Sequence, residues 1–154
     1  NSFNISFKQV EEFKRIKIIQ ISGIFKHILV LTEEGKVYSK GRNRYGELGT
    51  GDTKDQSKKF VEISSLNLYK IRYVSAGEHH SLFLTKEGKI LACGSNVSKQ
   101  CFYENESKDD STVLPVETPI KNADYCILSS GPMAFYIGFD EEMMPRRNNA
   151  YELY

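Results

Sequence analysis

Short apolar runs alternate with polar turns along this chain, and the pattern predicts strands. Apolar runs over residues 18–21 and 27–32 are followed by an alternating stretch over 36–39 and a further candidate strand over 59–63. The segment Thr-Glu-Glu-Gly-Lys joins the second run to the third, and its Gly35 can adopt the positive φ that a tight hairpin requires. Strand pattern and turn chemistry therefore agree on an all-β protein.

The same order of elements recurs 53 positions later, as the spacing of His27 and His80 shows. Strands are expected over 71–75, 81–85 and 90–93, with Gly88 in the hairpin turn. Equivalent residues fall in one unbroken register: Ser22 and Ser75, His27 and His80, Gly35 and Gly88, Gly41 and Gly94, Asn43 and Asn96. A period of roughly this size is typical of solenoids, propellers and other repeat arrays.

Each hairpin is followed by a Gly-x-Asn triplet, at 41–43 and at 94–96. In the first copy a glycine-rich loop follows, with Gly46 and Gly49, and we expect it to be tightly turned and ordered. In the second copy the corresponding residues are Lys-Gln-Cys-Phe at 99–102. Because both glycines are lost there, we expect that turn to relax.

Composition and charge narrow the function classes. With 40% hydrophobic and 27% charged residues among 154, the chain has the composition of a globular domain. A net charge of +1 gives no general attraction for nucleic acid or an anionic membrane, and we expect neither as a direct partner. No apolar run is long enough to span a membrane, and the N-terminal residues lack a signal pattern. We therefore expect a cytoplasmic or nuclear location.

Candidate chemistry is sparse, and we predict no catalytic, cofactor-binding or metal-binding residues. Three cysteines, Cys93, Cys101 and Cys126, share no metal-ligand spacing and suit a reducing compartment. His27 and His80 have no acidic or cysteine residue at a metal-ligand spacing, so we interpret them as packed histidines that hydrogen-bond between repeats. The recurring serines, Ser22, Ser75 and Ser129, do not lie in the Gly-x-Ser-x-Gly motif of a hydrolase nucleophile. The chain is therefore not predicted to be an enzyme.

Two stretches carry a family resemblance. ISGIFKHILVLTEEGKVYSKGRNRYGELGTGD and VSAGEHHSLFLTKEGKILACGSN resemble the repeat of the regulator of chromosome condensation family. The resemblance implies a seven-bladed β-propeller. It assigns structural roles to the shared positions, which are His27, Gly35, Gly41, Asn43, Gly46, Gly49, His80, Gly88, Gly94 and Asn96. The tryptophan of the family pattern is replaced by Lys40 and Cys93, which marks a diverged member.

The resemblance also divides the chain. We assign residues 1–17 to the end of a preceding repeat, 18–69 to repeat one, 70–121 to repeat two, 122–140 to a partial third repeat and 141–154 to a linker or tail. A propeller needs about 4 to 8 blades, so these residues form an arc of a ring. We expect further repeats, in the same polypeptide or in another chain, to complete it.

For function, the resemblance implies a non-catalytic protein–protein interaction scaffold within a larger protein or complex. Its implied partners are a small GTPase or a component of the ubiquitin pathway or the cilium. The alternative is a guanine nucleotide exchange factor for a Ran-like small GTPase. Arg42, Arg44 and Tyr45 are the candidate contact residues, because arginine and tyrosine are enriched at protein interfaces.

Overall fold

The computed structural model describes residues 9–24, 26–102, 111–128, 134–138 and 149–152, and after Ala123 it describes the backbone alone. The first sheet contains four antiparallel strands in chain order. They are β1 (Ile18–Ser22), β2 (His27–Thr32), β3 (Val37–Gly41) and β4 (Gln56–Glu62). A 3-10 turn at Glu11–Phe13 precedes them.

The second sheet repeats the first. After a 3-10 turn at Ser64–Leu68, it contains β5 (Ile71–Ala76), β6 (His80–Thr85), β7 (Ile90–Ser95) and β8 (Ser111–Glu117), again in chain order. His27 pairs with Gly41 in the first sheet, and His80 pairs with Gly94 in the second. The two sheets are therefore equivalent in register as well as in order, and we call them blade 1 and blade 2.

A third sheet begins where the partial third repeat was expected. It contains β9 (Ala123–Leu128), β10 (Ala134–Gly138) and β11 (Asn149–Glu152), with β10 in the centre. β11 lies in the segment 141–154, where the sequence interpretation placed a linker or tail. These four residues are instead a strand, because they pair antiparallel with β10.

The all-β prediction is confirmed, and the two complete sheets are propeller blades of four antiparallel strands. One apolar core cluster lies between them, and a second joins blade 2 to β9. Leu29 and Leu31 of β2 pack with Val74, Phe83 and Leu91 of blade 2, and all five side chains are buried. Burial of a side chain of this size stabilises a fold by roughly 1.5–3 kcal/mol, so this layer is the main attraction between the blades.

Polar side chains of β1 add a second set of contacts between the blades. The Gln20 amide donates to the Val74 carbonyl oxygen at 2.8 Å and accepts from the Val74 N–H at 2.9 Å. Ser22 Oγ accepts from the Ala76 N–H at 2.9 Å. Each such bond contributes about 1 kcal/mol and satisfies a backbone group of β5 that no neighbouring strand reaches.

Each Gly-x-Asn triplet begins with a glycine because two strands approach closely at that point. Gly41 lies where β3 approaches the start of β2, and Gly94 lies where β7 approaches the start of β6. Gly41 has φ +125°, and a Cβ there would lie 2.2 Å from the Lys26 carbonyl oxygen. Gly94 has φ +101°, and its Cβ would lie 2.4 Å from the His79 carbonyl oxygen. A side chain at either position therefore meets backbone atoms that cannot move aside.

The expectation that the turn at 99–102 relaxes is wrong. Lys99 and Phe102 have φ values of 60° and 59°, in the same left-handed region as Gly46 and Gly49. Cys101 N–H donates to Asn96 Oδ1 at 2.9 Å, as its counterpart in the first copy does to Asn43. The asparagine network and the burial of Phe102 hold the turn, even though left-handed conformation costs a non-glycine residue about 1–2 kcal/mol.

We predict that Gly41→Ala destabilises the protein by about 2 kcal/mol or more beyond Gly35→Ala. Gly35 also has a positive φ, but the nearest atom to a Cβ there is 3.5 Å away, so the second variant measures backbone strain alone. Urea denaturation of both variants gives the comparison. Equal losses of stability would show that the close approach at Gly41 is readily relieved.

Candidate protein interface

The loop that follows β3, residues 42–52, leans from blade 1 across the outer strand of blade 2. Gly51 N–H donates to the Val113 carbonyl oxygen in β8 at 2.8 Å. Gly46 lies so close to β8 that a Cβ on it would be 2.5 Å from the Thr112 carbonyl oxygen. The loop is therefore anchored on the neighbouring blade as well as on its own.

Buried Asn43 holds the loop from inside. Its Oδ1 accepts from the Leu48 N–H at 2.9 Å, and its Nδ2 donates to the Asp52 carbonyl oxygen at 2.8 Å. Its own backbone N–H donates to Asp55 Oδ1 at 2.7 Å. One side chain thus ties both ends of the loop together, which explains why the Gly-x-Asn triplet recurs.

Glu47 forms the part of the loop that is inserted most deeply between the blades. Its Oε2 accepts from the Tyr45 N–H at 2.7 Å, and its carbonyl oxygen accepts from Ser81 Oγ of blade 2 at 2.7 Å. Burial raises the pKa of the Glu47 carboxyl, against the opposing effect of its backbone hydrogen bonds and of nearby His79 and Arg42. Gln100 makes the equivalent side-chain contact in the second copy, with the Ser98 N–H at 2.8 Å.

We call Arg42, Arg44 and Tyr45 of this loop, together with His79 of blade 2, the loop patch. The Tyr45 ring lies 4.9 Å from the His79 ring, and the Arg44 guanidinium lies 5.6 Å from the Tyr45 ring. Arg44 is exposed, whereas the other three are half-buried. His79 Nε2 lies 3.5 Å from a Glu78 carboxylate oxygen.

Of the three residues predicted as contact residues, the structure brings Arg44 and Tyr45 into contact, and it adds one residue that the sequence did not reveal. His79 belongs to the β5–β6 connection of blade 2, yet its ring lies beside the Tyr45 ring of blade 1 at an interplanar angle of 54°. Its counterpart in the first copy is Lys26, so the repeat contains no signal for it. Contacts between successive blades are invisible to an alignment of one repeat with the other.

Both repeat histidines are buried, and one of them links the two complete blades. His27 Nε2 lies 2.9 Å from Ser81 Oγ and so links blade 1 to blade 2. The His80 ring covers Gly77, where an added Cβ would lie 2.3 Å from the ring. Among the residues that the model describes, neither ring nitrogen of His80 has a hydrogen-bond partner.

Within the described ranges, no three histidine, cysteine or acidic side chains are grouped so that they could hold a metal ion. The side chains of Cys93 and Cys101 are buried. In the same part of the chain, no helix has the length and apolarity that crossing a bilayer demands.

Comparison with known protein families shows which family has this repeat. A model described as the regulator of chromosome condensation (RCC1) repeat matches residues 34–84, and a second model with the same description matches 18–47 and 71–100. The chain belongs to this repeat family. The two segments matched by the second model begin with β1 and β5, so the family repeat and the observed blade share one frame.

The relatives of this repeat protein are much longer. The guanine nucleotide exchange factor SRM1 of Saccharomyces cerevisiae is 30% identical over 105 residues, which are 68% of this chain and 22% of SRM1. The X-linked retinitis pigmentosa GTPase regulator of Canis lupus familiaris is 40% identical over 79 residues, which are 51% of this chain and 8% of the regulator. The chain thus spans less than a quarter of either relative.

A solved structure supports the fold. The yeast RCC1 (Prp20) crystal structure, in which Kap60 is bound, matches with a TM-score of 0.64 and 23% identity. The match covers 79% of this chain and 32% of that one. The likeness shows that the blades follow each other here as they do in that propeller.

We predict that stability falls as the pH is lowered from about 6.5 towards 4. Burial, together with neighbouring histidines, lowers the pKa of His27 to about 4 and that of His80 to about 3. Below about pH 6.5 the two imidazole rings bind protons in the unfolded chain but not in the folded one. Each histidine therefore lowers the free energy of unfolding by about 1.4 kcal/mol for every pH unit by which the pH falls within this window.

Urea denaturation at pH 7, 6 and 5 measures the slope. The His80→Gln variant serves as the matched comparison, since it removes one titrating ring and leaves the carboxylates unchanged. Its slope is expected to be smaller than that of the parent. Identical slopes would mean that the His80 ring is not desolvated in the folded protein.

Proposed function

We propose that this chain is a non-catalytic protein-interaction module of a larger protein or complex, and that the loop patch is its contact surface. The observation that supports the proposal most directly is an exposed arginine beside the Tyr45 ring, which contacts the His79 ring, on a loop that is anchored at both blades. Arginine and aromatic residues contribute most of the energy at protein interfaces.

The anchoring of the loop matters for affinity. Binding by a mobile loop loses the entropy of ordering that loop, whereas a loop already fixed by Asn43 and Glu47 loses little. The cluster itself is also preassembled, because His79 supports Tyr45 from the neighbouring blade. A patch of this kind can bind a partner without a change in the backbone of the blades.

The chemistry of the patch indicates the chemistry of the partner. Arg42 and Arg44 supply planar guanidinium groups, which bind carboxylates through paired hydrogen bonds. The Tyr45 ring offers an apolar surface beside them. The proposed partner is therefore a protein that presents acidic side chains next to an apolar one, and a small GTPase, a ubiquitin-pathway protein or a ciliary protein are the classes that the family suggests.

We predict that a benzophenone amino acid at position 45 cross-links the native polypeptide to its partner in its own cells. The same amino acid at position 68 is the matched control, because Leu68 is 89% exposed. Leu68 lies after the C-terminal end of β4, whereas the loop that carries Tyr45 precedes the N-terminal end of that strand. Arg44→Glu is expected to abolish the adduct from position 45, since it reverses the charge of the exposed patch arginine. No adduct from position 45, or equal adducts from both positions, would contradict the proposal.

The alternative is guanine nucleotide exchange on a Ran-like small GTPase, and the similarity to SRM1 favours it. Release of a fluorescent guanine nucleotide from a panel of small GTPases tests it directly. If the alternative is correct, substoichiometric amounts of the native polypeptide accelerate release, and Arg44→Glu reduces the rate. Binding without acceleration supports the interaction module.

A further inference from the structure

His79 is the one residue of the loop patch that blade 2 supplies. Its ring lies 4.9 Å from the Tyr45 ring, and its Nε2 lies 3.5 Å from a carboxylate oxygen of Glu78. The side chain is 29% exposed, so water reaches it. Histidine is the type of side chain that changes charge between pH 5 and 8, and this one is in contact with both solvent and the patch.

The charges of the patch and of the two carboxyl groups beside it cancel. Arg42 and Arg44 are positive, and Glu47 and Glu78 supply two negative charges. The Glu47 carboxylate accepts from the Tyr45 N–H at 2.7 Å. Burial raises the pKa of the Glu47 carboxyl, and its backbone hydrogen bonds, His79 and Arg42 oppose that rise. The patch therefore has no net charge while His79 is neutral, and it becomes positive when His79 binds a proton.

The other two histidines of the chain also interact with His79, from β2 and β6. His27 and His80 are 1% and 0% exposed. Burial, together with neighbouring histidines that include His79, lowers the pKa of His27 to about 4 and that of His80 to about 3. Neither ring therefore becomes charged between pH 8 and pH 6. Of the three histidines, His79 is the one that can change the charge of the patch in this range.

The second copy of the loop shows that this chemistry is not a general property of the repeat. The residues equivalent to Arg42, Arg44, Tyr45 and Glu47 are Ser95, Val97, Ser98 and Gln100, and none of them is charged. The counterpart of His79 in the first copy is Lys26. The equivalent position there has a permanent positive charge, whereas a histidine makes the charge depend on pH.

We infer that His79 is a proton switch of the loop patch: the patch binds an acidic partner more tightly when His79 is protonated, and binding takes up a proton. The inference rests on the proposed function, because it concerns the same surface. A carboxylate beside the patch is attracted by an imidazolium and not by a neutral ring. Linkage then requires that the bound partner favours protonation of His79 to the same extent. Glu78 competes for the imidazolium, so the effect of one proton is moderate.

The first experiment measures binding of a fluorescent synthetic peptide, made of glutamates around one leucine, to the native full-length polypeptide at pH 8 and pH 6. The glutamates of the peptide stay ionised in this range, so only the protein changes charge. Binding is expected to be about three- to fivefold tighter at pH 6. Arg44→Glu is expected to abolish binding at both pH values, which locates the peptide on the patch. Equal affinities at the two pH values, or no binding at either, would overturn the inference.

Two substitutions at position 79 are expected to give opposite results. His79→Gln binds at both pH values with the weaker affinity that the parent has at pH 8. His79→Lys introduces the residue type found at the equivalent position 26, and it binds at both pH values with about the stronger affinity of pH 6. Glu47→Gln introduces the residue type found at position 100 and keeps the pH dependence. A pH dependence that survives both substitutions of His79, or that is lost in Glu47→Gln, would contradict the assignment to His79.

Calorimetry at pH 7 in two buffers with different heats of ionisation counts the protons taken up on binding of the same peptide. The parent is expected to take up a fraction of one proton and His79→Gln none. No uptake by the parent would also overturn the inference. The cross-link from position 45 tests the proposed function separately. An adduct there, with peptide binding that does not depend on pH, would reject the proton switch and leave the interaction module in place.

Discussion

The rest of this structure depends on the packing of one blade face against the next. A four-stranded sheet with an apolar face is not stable by itself in water, and each blade here buries that face only by contact with its neighbour. Leu29 and Leu31 supply the apolar side of the first junction, and Val74 and Phe83 supply the other. The polar groups at the same junction are then forced to find partners inside it, because water is excluded.

That requirement explains the recurring residues. His27 bonds to Ser81, Ser81 bonds to the Glu47 carbonyl oxygen, and Glu47 is placed there by the Asn43 network of its loop. The glycines at 41 and 94 let the strands approach closely enough for the inserted loop to fit. Three residues of this junction, His27, Gly41 and Asn43, recur 53 positions later, whereas Ser81 and Glu47 have Ile28 and Gln100 as their counterparts. The surface residues on the same loop also differ between the two copies. Arg44 and its counterpart Val97 illustrate this difference.

The same separation links the fold to function. The junction residues fix the loop backbone, and the side chains that face outward from it then form a preordered surface. Arg44 and Tyr45 stand on a loop whose inner side is anchored by hydrogen bonds to blade 2. In a repeat protein built in this way, substitution of outward-facing side chains can create new binding surfaces, because it leaves the packing between the blades unchanged. This accounts for a family in which one architecture serves relatives with different described activities.

Much of the fold followed from the sequence, because strand alternation and turn glycines are local properties. Gly35 and Gly88 marked the hairpins correctly, and the 53-residue register placed equivalent strands. Local reasoning failed at Lys99 and Phe102, where a network centred on Asn96 imposes a left-handed backbone on residues that do not favour it. It also missed β11, whose residues form a strand only through pairing with β10.

The candidate site divides in the same way. The sequence by itself determined the blade, its loop and the arginine and tyrosine residues of that loop, since each depends on neighbours within a few positions. Only the tertiary structure decided that His79 lies beside Tyr45 and that the Glu47 carbonyl oxygen contacts the next blade. These contacts join residues more than 30 positions apart, and they arise from the geometry of blade packing, which no local pattern encodes.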